Sequence, residues 1–127
     1  MYSVIIRTKN EEIHIGQAIQ SCIDFVEKPE IIIVNNNSTD KSLYICRLFI
    51  RNNNLEKKPN TNYCDLKIVD IETYTPGKAL NLGVKNCTNE NIIILSSHCS
   101  IIKFEKSLIQ KNLDEYGVLF GNQTPYY

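Results

Sequence analysis

Three apolar runs in this chain stop abruptly at polar clusters. YSVIIR (2–7), EIIIV (30–34) and NIIILSS (91–97) pass directly into RTKNEE (7–12), NNNSTD (35–40) and SSHCS (96–100). A strand with aliphatic residues at successive positions must be covered on both faces, as parallel strands between helices are. The intervening segments supply the helices. In EEIHIGQAIQSCIDF (11–25), Ile13, Ala18, Ile19 and Cys22 recur at helical spacing, and Asn10, Glu11 and Glu12 suit a helix start. In STDKSLYICRLFIRN (38–52), Leu43, Cys46 and Ile50 share a face, with Ser38 or Thr39 able to cap it. GKALNLGVKNC (77–87) reads as a third helix and FEKSLIQKNLDEY (104–116) as a charged amphipathic fourth. CDLKIVDI (64–71) alternates like a strand nearer an edge, RNNNLEKKPNTN (51–62) reads as a loop, and GVLFG (117–121) as a last short strand. Strands alternating with helices predict the α/β class: a doubly wound, mostly parallel, Rossmann-like sheet with helices on both faces.

Composition narrows the function. A chain of 127 residues is the size of one domain, expected to span 1–127. Formal net charge is zero, which gives no general attraction to nucleic acid or anionic membrane. Five cysteines, an odd count with no CxxC pair, and no secretory apolar region after Met1 predict reduced thiols in a cytoplasmic protein. No apolar run approaches the roughly 20 residues of a membrane span.

In doubly wound sheets, ligands bind outside the carboxyl ends of the strands, where the polar clusters lie. Asparagine amides both donate and accept, as a nucleobase edge requires, and asparagine is also a common turn residue. Both readings fit the triplet Asn35, Asn36 and Asn37. No GxGxxG follows a strand, and RTKNEE has no glycine to wrap a triphosphate, which disfavours a dinucleotide-dependent dehydrogenase and a nucleotidyltransferase.

Taken in order, SVIIRTKNEE, EIIIVNNNSTDKS and PGKALNLGVKNCTNENIIILSSHC resemble the inverting family-2 glycosyltransferases of the GT-A type over nearly the whole chain. Those read as a strand ending in Thr-x-Asn-Glu, then EIIVVDDGSTD, then an Arg or Lys near AxNxG, then a strand ending in an acidic DxD-like motif. The PGKALNLG to SSHC pairing is similar to polysaccharide-assembly and rhamnosyltransferase-like members. The resemblance implies that Thr8, Asn10, Glu11, Asn35, Asn36 and Asn37 hold base and ribose. It places Lys78 near the diphosphate and adds Asn81 and Ser97 to the nucleotide-binding residues; Asn81 is equally open to a helix role, bonding across to the strand ends. Asp40, the one acid retained from DDGSTD, is open to a site role or to a helix-start role. Lys78 is open to a diphosphate contact or to simple solvation. The DxD position reads Ser96-Ser97-His98-Cys99, a poor magnesium site. His98 suits Mn²⁺, direct contact with the diphosphate, or a neighbouring backbone group.

The implied function is binding of a nucleotide-diphosphate sugar, UDP-, dTDP- or GDP-linked. The sugar would pass to a saccharide or lipid-linked acceptor in cell-surface polysaccharide synthesis, in the cytoplasm or at the inner face of the membrane. Mg²⁺ or Mn²⁺ is the cofactor the resemblance implies. The family's catalytic base lies in a second half that this sequence does not contain. The chain is therefore expected to be inactive or incomplete alone, and to self-associate or meet a partner supplying that half, with GVLFG and Tyr126-Tyr127 as contact points. The alternative is a non-catalytic nucleotide-binding or interaction module derived from such an enzyme.

Overall fold

A computed structural model describes residues 1–56 and 63–125. The elements run β1 (Tyr2–Thr8), α1 (Ile15–Phe25), β2 (Glu30–Asn35), α2 (Ser42–Glu56), β3 (Asp65–Asp70), α3 (Pro76–Asn86), β4 (Asn91–Ser96) and α4 (Lys106–Tyr116). The four strands form one parallel sheet in the order β3-β2-β1-β4. The chain moves outward from β1 to β2 to β3, then crosses back to lie beside β1. Right-handed crossovers put helices on opposite faces when the direction reverses, and the packing shows this. Ala18, Ile19 and Cys22 of α1 and Cys46 of α2 pack with Val4, Ile6, Ile31 and Ile33 on one face. Ala79 of α3 packs with Ile5, Ile32 and Val34 on the other. The reversal leaves a topological switch point between β1 and β4.

Several elements differ from the sequence expectation. Helix α1 starts at Ile15 rather than near Asn10, and Ile13 is 83% exposed while Ile15 is fully buried. The backbone N–H groups that would open the helix are used elsewhere: Glu11 N–H donates to Ser42 Oγ at 2.7 Å and Glu12 N–H to Asp40 Oδ2 at 3.0 Å. Helix α2 continues to Glu56 through the first half of the expected loop, whose remainder, 57–62, lies outside the described residues. Ser38 and Thr39 do not cap it; the Ser42 N–H donates to Asp40 Oδ1 at 2.9 Å. Residues 117–121 form no strand. Gly117 instead ends α4 in the left-handed region (φ 75°), its N–H bonded to the Leu113 carbonyl. Tyr126 and Tyr127 lie outside the described residues. Strand β4 is an edge and not fully buried: Ile93 and Leu95 pack into the α1 side, but Ile92 and Ile94 are exposed because α3 covers β1 and β2. Strand β3 is the other edge, as its alternation implied.

The five cysteines stand as thiols outside any disulfide. Burial pushes Cys22 and Cys46 up to about 12, so they act as small apolar core residues. Among the described residues, no helix is long and apolar enough to cross a membrane.

Helix α3 lies so close to β1 that Gly83 has no room for a side chain. A Cβ there would stand 2.6 Å from Ile5 Cγ2, and Ile5 is fully buried. Alanine is the better helix former by about 1 kcal/mol, yet overpacking at a rigid contact costs about 1–3 kcal/mol. Gly83→Ala is therefore expected to destabilise the protein by about 1 kcal/mol net, read as a lower urea midpoint at unchanged slope.

Candidate functional site

The first two polar clusters are stitched to each other. Asn10, at φ 52°, accepts the Thr39 N–H at 2.7 Å through Oδ1, and its own N–H donates to Ser38 Oγ at 3.1 Å. Glu12 Oε2 accepts the Lys41 N–H at 3.0 Å, reciprocating the Glu12–Asp40 bond. Burial pushes the Asp40 carboxyl up, but its bonds with Ser42 and the Glu12 N–H outweigh this and hold it below its ordinary range. Asp40 is thus a clasp between the β1–α1 and β2–α2 loops.

The asparagine triplet divides into three environments. Asn35 is buried; its Nδ2 donates to Asp70 Oδ1 at 2.7 Å and its Oδ1 accepts the Ser38 N–H at 3.1 Å. Asn36 is half-buried and lines a cleft. Asn37 is exposed at φ 49° and makes the left-handed turn.

That cleft, about 250 Å³, opens at the switch point. Its floor comes from β1 (Arg7 and Thr8) and the end of β4 (Ser96, then Ser97), with Asn36 at its β2 side. Lys9, Glu11, His98 and Tyr74 complete the wall. Thr8 is only 2% exposed, and among the described residues its Oγ1 is the one buried side-chain oxygen or nitrogen without a hydrogen-bond partner. Such a hydroxyl is costly unless a ligand meets it. His98 Nδ1 lies 3.9 Å from Glu11 Oε1, with His98 well exposed.

Of the residues expected from the sequence, the cleft brings together Thr8, Glu11, Asn36, Ser97 and His98. Asn10 and Asn35 support it through their clasp and strand-end bonds, while Asn37, Lys78 and Asn81 are exposed and do not line it. Lys78 sits in the first turn of α3, where its N–H meets the N-cap Thr75 Oγ1 at 3.2 Å. Sequence reasoning missed Tyr74, and named Arg7, Lys9 and Ser96 only within the polar strand-end clusters, without giving them a contact. Arg7 carried a signal, a charge directly after the aliphatic run of a central strand. Tyr74, in the β3–α3 connection, carried none.

The donors suit a divalent cation badly. Among the described residues, no three His, Cys, Asp or Glu side chains come together. The cleft offers one carboxylate, Glu11, one imidazole and two serine hydroxyls, facing Arg7 and Lys9. Mg²⁺ and Mn²⁺ favour several anionic oxygens, so the residues present do not fit the metal that the DxD position would hold.

A second hollow of about 240 Å³ lies at the amino ends of the strands, among Tyr2, Phe25 and Phe104. Its charged groups are engaged: Lys106 pairs with Glu27 at 3.2 Å, and Lys28 lies 5.8 Å from the centre of the Tyr63 ring. Convergent open polar groups therefore distinguish the switch-point cleft.

Known proteins share this architecture. The chain is 31% identical over 117 residues to a dolichyl N-acetyl-alpha-D-glucosaminyl phosphate 3-beta-D-2,3-diacetamido-2,3-dideoxy-beta-D-glucuronosyltransferase of Methanococcus voltae, covering 90% of this chain and 33% of that protein. It is 33% identical over 98 residues to the minor teichoic acid biosynthesis protein GgaA of Bacillus subtilis (strain 168), covering 74% of this chain and 20% of that protein. The chain thus spans a third or less of the length of these relatives. The crystal structure of S. aureus TarS matches at TM-score 0.70 and 25% identity, over 91% of this chain and 20% of that one. TarS 1–349 in complex with UDP matches in fold at TM-score 0.71 and 23% identity, over 98% and 38% of the two chains. Residues 3–125 match the family described as Glycosyl transferase family 2. With the switch-point cleft, the parallel order β3-β2-β1-β4 and this match over almost its whole length, the chain belongs to glycosyl transferase family 2.

Proposed function

We propose that the switch-point cleft binds the nucleotide-diphosphate portion of a sugar donor. The sugar would then be transferred to a saccharide or lipid-linked acceptor in cell-surface polymer synthesis, on the cytoplasmic side. The observation that carries this reading is the Thr8 hydroxyl: buried, without a partner, and lining the cleft where doubly wound sheets receive nucleotides. Asn36 offers an amide that can both donate and accept, and Tyr74 an exposed ring face for a base. UDP is the nucleotide to try first, because one TarS structure of the same fold is a UDP complex. The cytoplasmic placement and the acceptor class belong to the same proposal.

Titration with UDP, followed by backbone amide shifts, tests it. Shifts are expected at Thr8, Asn36 and Ser97. Thr8→Val keeps the shape and removes the hydroxyl. It is expected to weaken UDP binding about tenfold and to stabilise the free protein by about 1 kcal/mol, since an unsatisfied buried group is lost. Opposite signs in binding and stability would separate a ligand contact from a packing residue. No shift at millimolar concentration with UDP, or with dTDP or GDP in its place, would overturn the reading in favour of an interaction module.

A further inference from the structure

We propose that the Arg7 guanidinium takes the place of a divalent cation in holding the donor's diphosphate; this rests on the nucleotide reading above. Arg7 is a half-buried residue of β1, opposite Val34 on one side and Ser96 on the other. It lies two positions beyond the fully buried Ile5, on the α3 face, and lines the cleft. A half-buried guanidinium at the carboxyl end of an inner strand is partly stripped of water and favours an anion in return. Among the described residues no carboxylate pairs with it: the ion pairs join Lys67 to Glu30, His98 to Glu11, Lys103 to Glu105 and Lys106 to Glu27.

The surrounding charges point the same way. Lys9 adds a second cation to the wall, and Glu11, the one carboxylate there, already faces His98. A divalent ion would meet two fixed positive charges and a single acid. A diphosphate would meet a planar fork of donors matched to phosphate oxygens, with the Ser96 and Ser97 hydroxyls as neutral donors beside it. The neighbouring Thr8 hydroxyl, buried and without a partner, independently marks the same cleft as built for a ligand. Arg7 is thereby a binding residue whose fixed charge does the neutralising work usually left to a metal.

The test titrates the full chain with UDP, uridine and inorganic pyrophosphate, each in EDTA and in Mn²⁺, by calorimetry and amide shifts. The expected UDP affinity is the same within about twofold in both conditions. Arg7→Gln is expected to weaken UDP and pyrophosphate about tenfold or more and leave uridine unchanged, and Arg7→Lys to recover part of the loss. An Mn²⁺-dependent gain of about a hundredfold in wild-type UDP affinity would overturn the proposal without needing any variant. So would Arg7→Gln binding UDP like wild type, with an otherwise native amide spectrum. Arg7-dependent binding of pyrophosphate without any binding of UDP, dTDP or GDP would overturn the nucleotide reading and leave the anion site standing. Binding of neither would overturn both.

Discussion

Glu30→Ala is expected to lower the unfolding free energy by about 3 kcal/mol at neutral pH, the lower end of the range for breaking a buried charge pair. Glu30 is 5% exposed at the amino end of β2. Its carboxylate accepts from Ser3 Oγ, from Lys67 Nζ at 2.9 Å, and from the Thr88 N–H at 2.8 Å and hydroxyl at 3.1 Å. Lys67 Nζ also donates to the Asn86 carbonyl at the end of α3, and Ser3 Oγ accepts from the Asn89 side chain. The carboxylate therefore joins β1, β2, β3 and the α3–β4 connection. Removing it takes an acceptor from donors on three segments, of which Lys67 keeps the Asn86 carbonyl. The 38% exposure of the Lys67 side chain lets that ammonium regain water, which keeps the loss from being larger.

Acid should act on the same group. Burial pushes the Glu30 carboxyl up, but the bonds from Ser3, the Thr88 N–H and Lys67 outweigh it and hold it at about 2, below its ordinary 4.5. A carboxyl with a depressed folded value binds its proton more readily when unfolded. Its contribution is thus full above about pH 5 and fades as the pH falls toward 2. The wild type is expected to lose on the order of 3 kcal/mol through this window that Glu30→Ala does not lose. Urea unfolding of both proteins from pH 7 to pH 2 measures it; parallel stability curves would refute it.

Asn35→Asp, a change of one atom, is expected to destabilise the protein by about 2–3 kcal/mol at pH 7. The Asn35 amide donates to Asp70 Oδ1 across the β2–β3 pair at 2.7 Å. A carboxylate there would lose a hydrogen bond to a charged acceptor and set two like charges in contact. Its other oxygen could still accept the Ser38 N–H, so the loop would keep its turn. The deficit should shrink as the pH falls through the carboxylate range, where one proton can be shared. An undiminished deficit at pH 4 would point to lost packing. This contact also accounts for an amide where the resembled motif has an acid: with Asp70 opposite, position 35 needs a donor.

The backbone architecture was largely legible in the sequence. Ile31, Ile32 and Ile33 can all be buried only in a central strand covered on both faces, and the helical spacing of Ala18, Ile19 and Cys22 marked the face that covers it. Legibility failed where a local pattern competed with a distant partner. Asn10, Glu11 and Glu12 read as a helix start, but Thr39, Asp40 and Ser42 claim their polar groups from about thirty residues away. NIIILSS reads as doubly buried, but periodicity does not say how far α3 reaches across a sheet, and Ile94 is left 58% exposed.

By itself the sequence determined the α/β class, the polar strand ends around which the candidate cleft opens, and the family resemblance. These follow from side-chain burial along short segments and from the order of motifs. The tertiary structure alone decided how each polar residue is used. Strand order put Thr8 between the ends of β2 and β4, gave Asn35 to Asp70 and Asn36 to the cleft, and turned Asn10 and Asp40 into a clasp. It also brought Arg7 and Tyr74 to one cleft, residues 67 positions apart that share it only because the chain crosses back through α3. Hydrogen bonds and charge pairs act over a few ångströms in space, and no local pattern records which strands become neighbours.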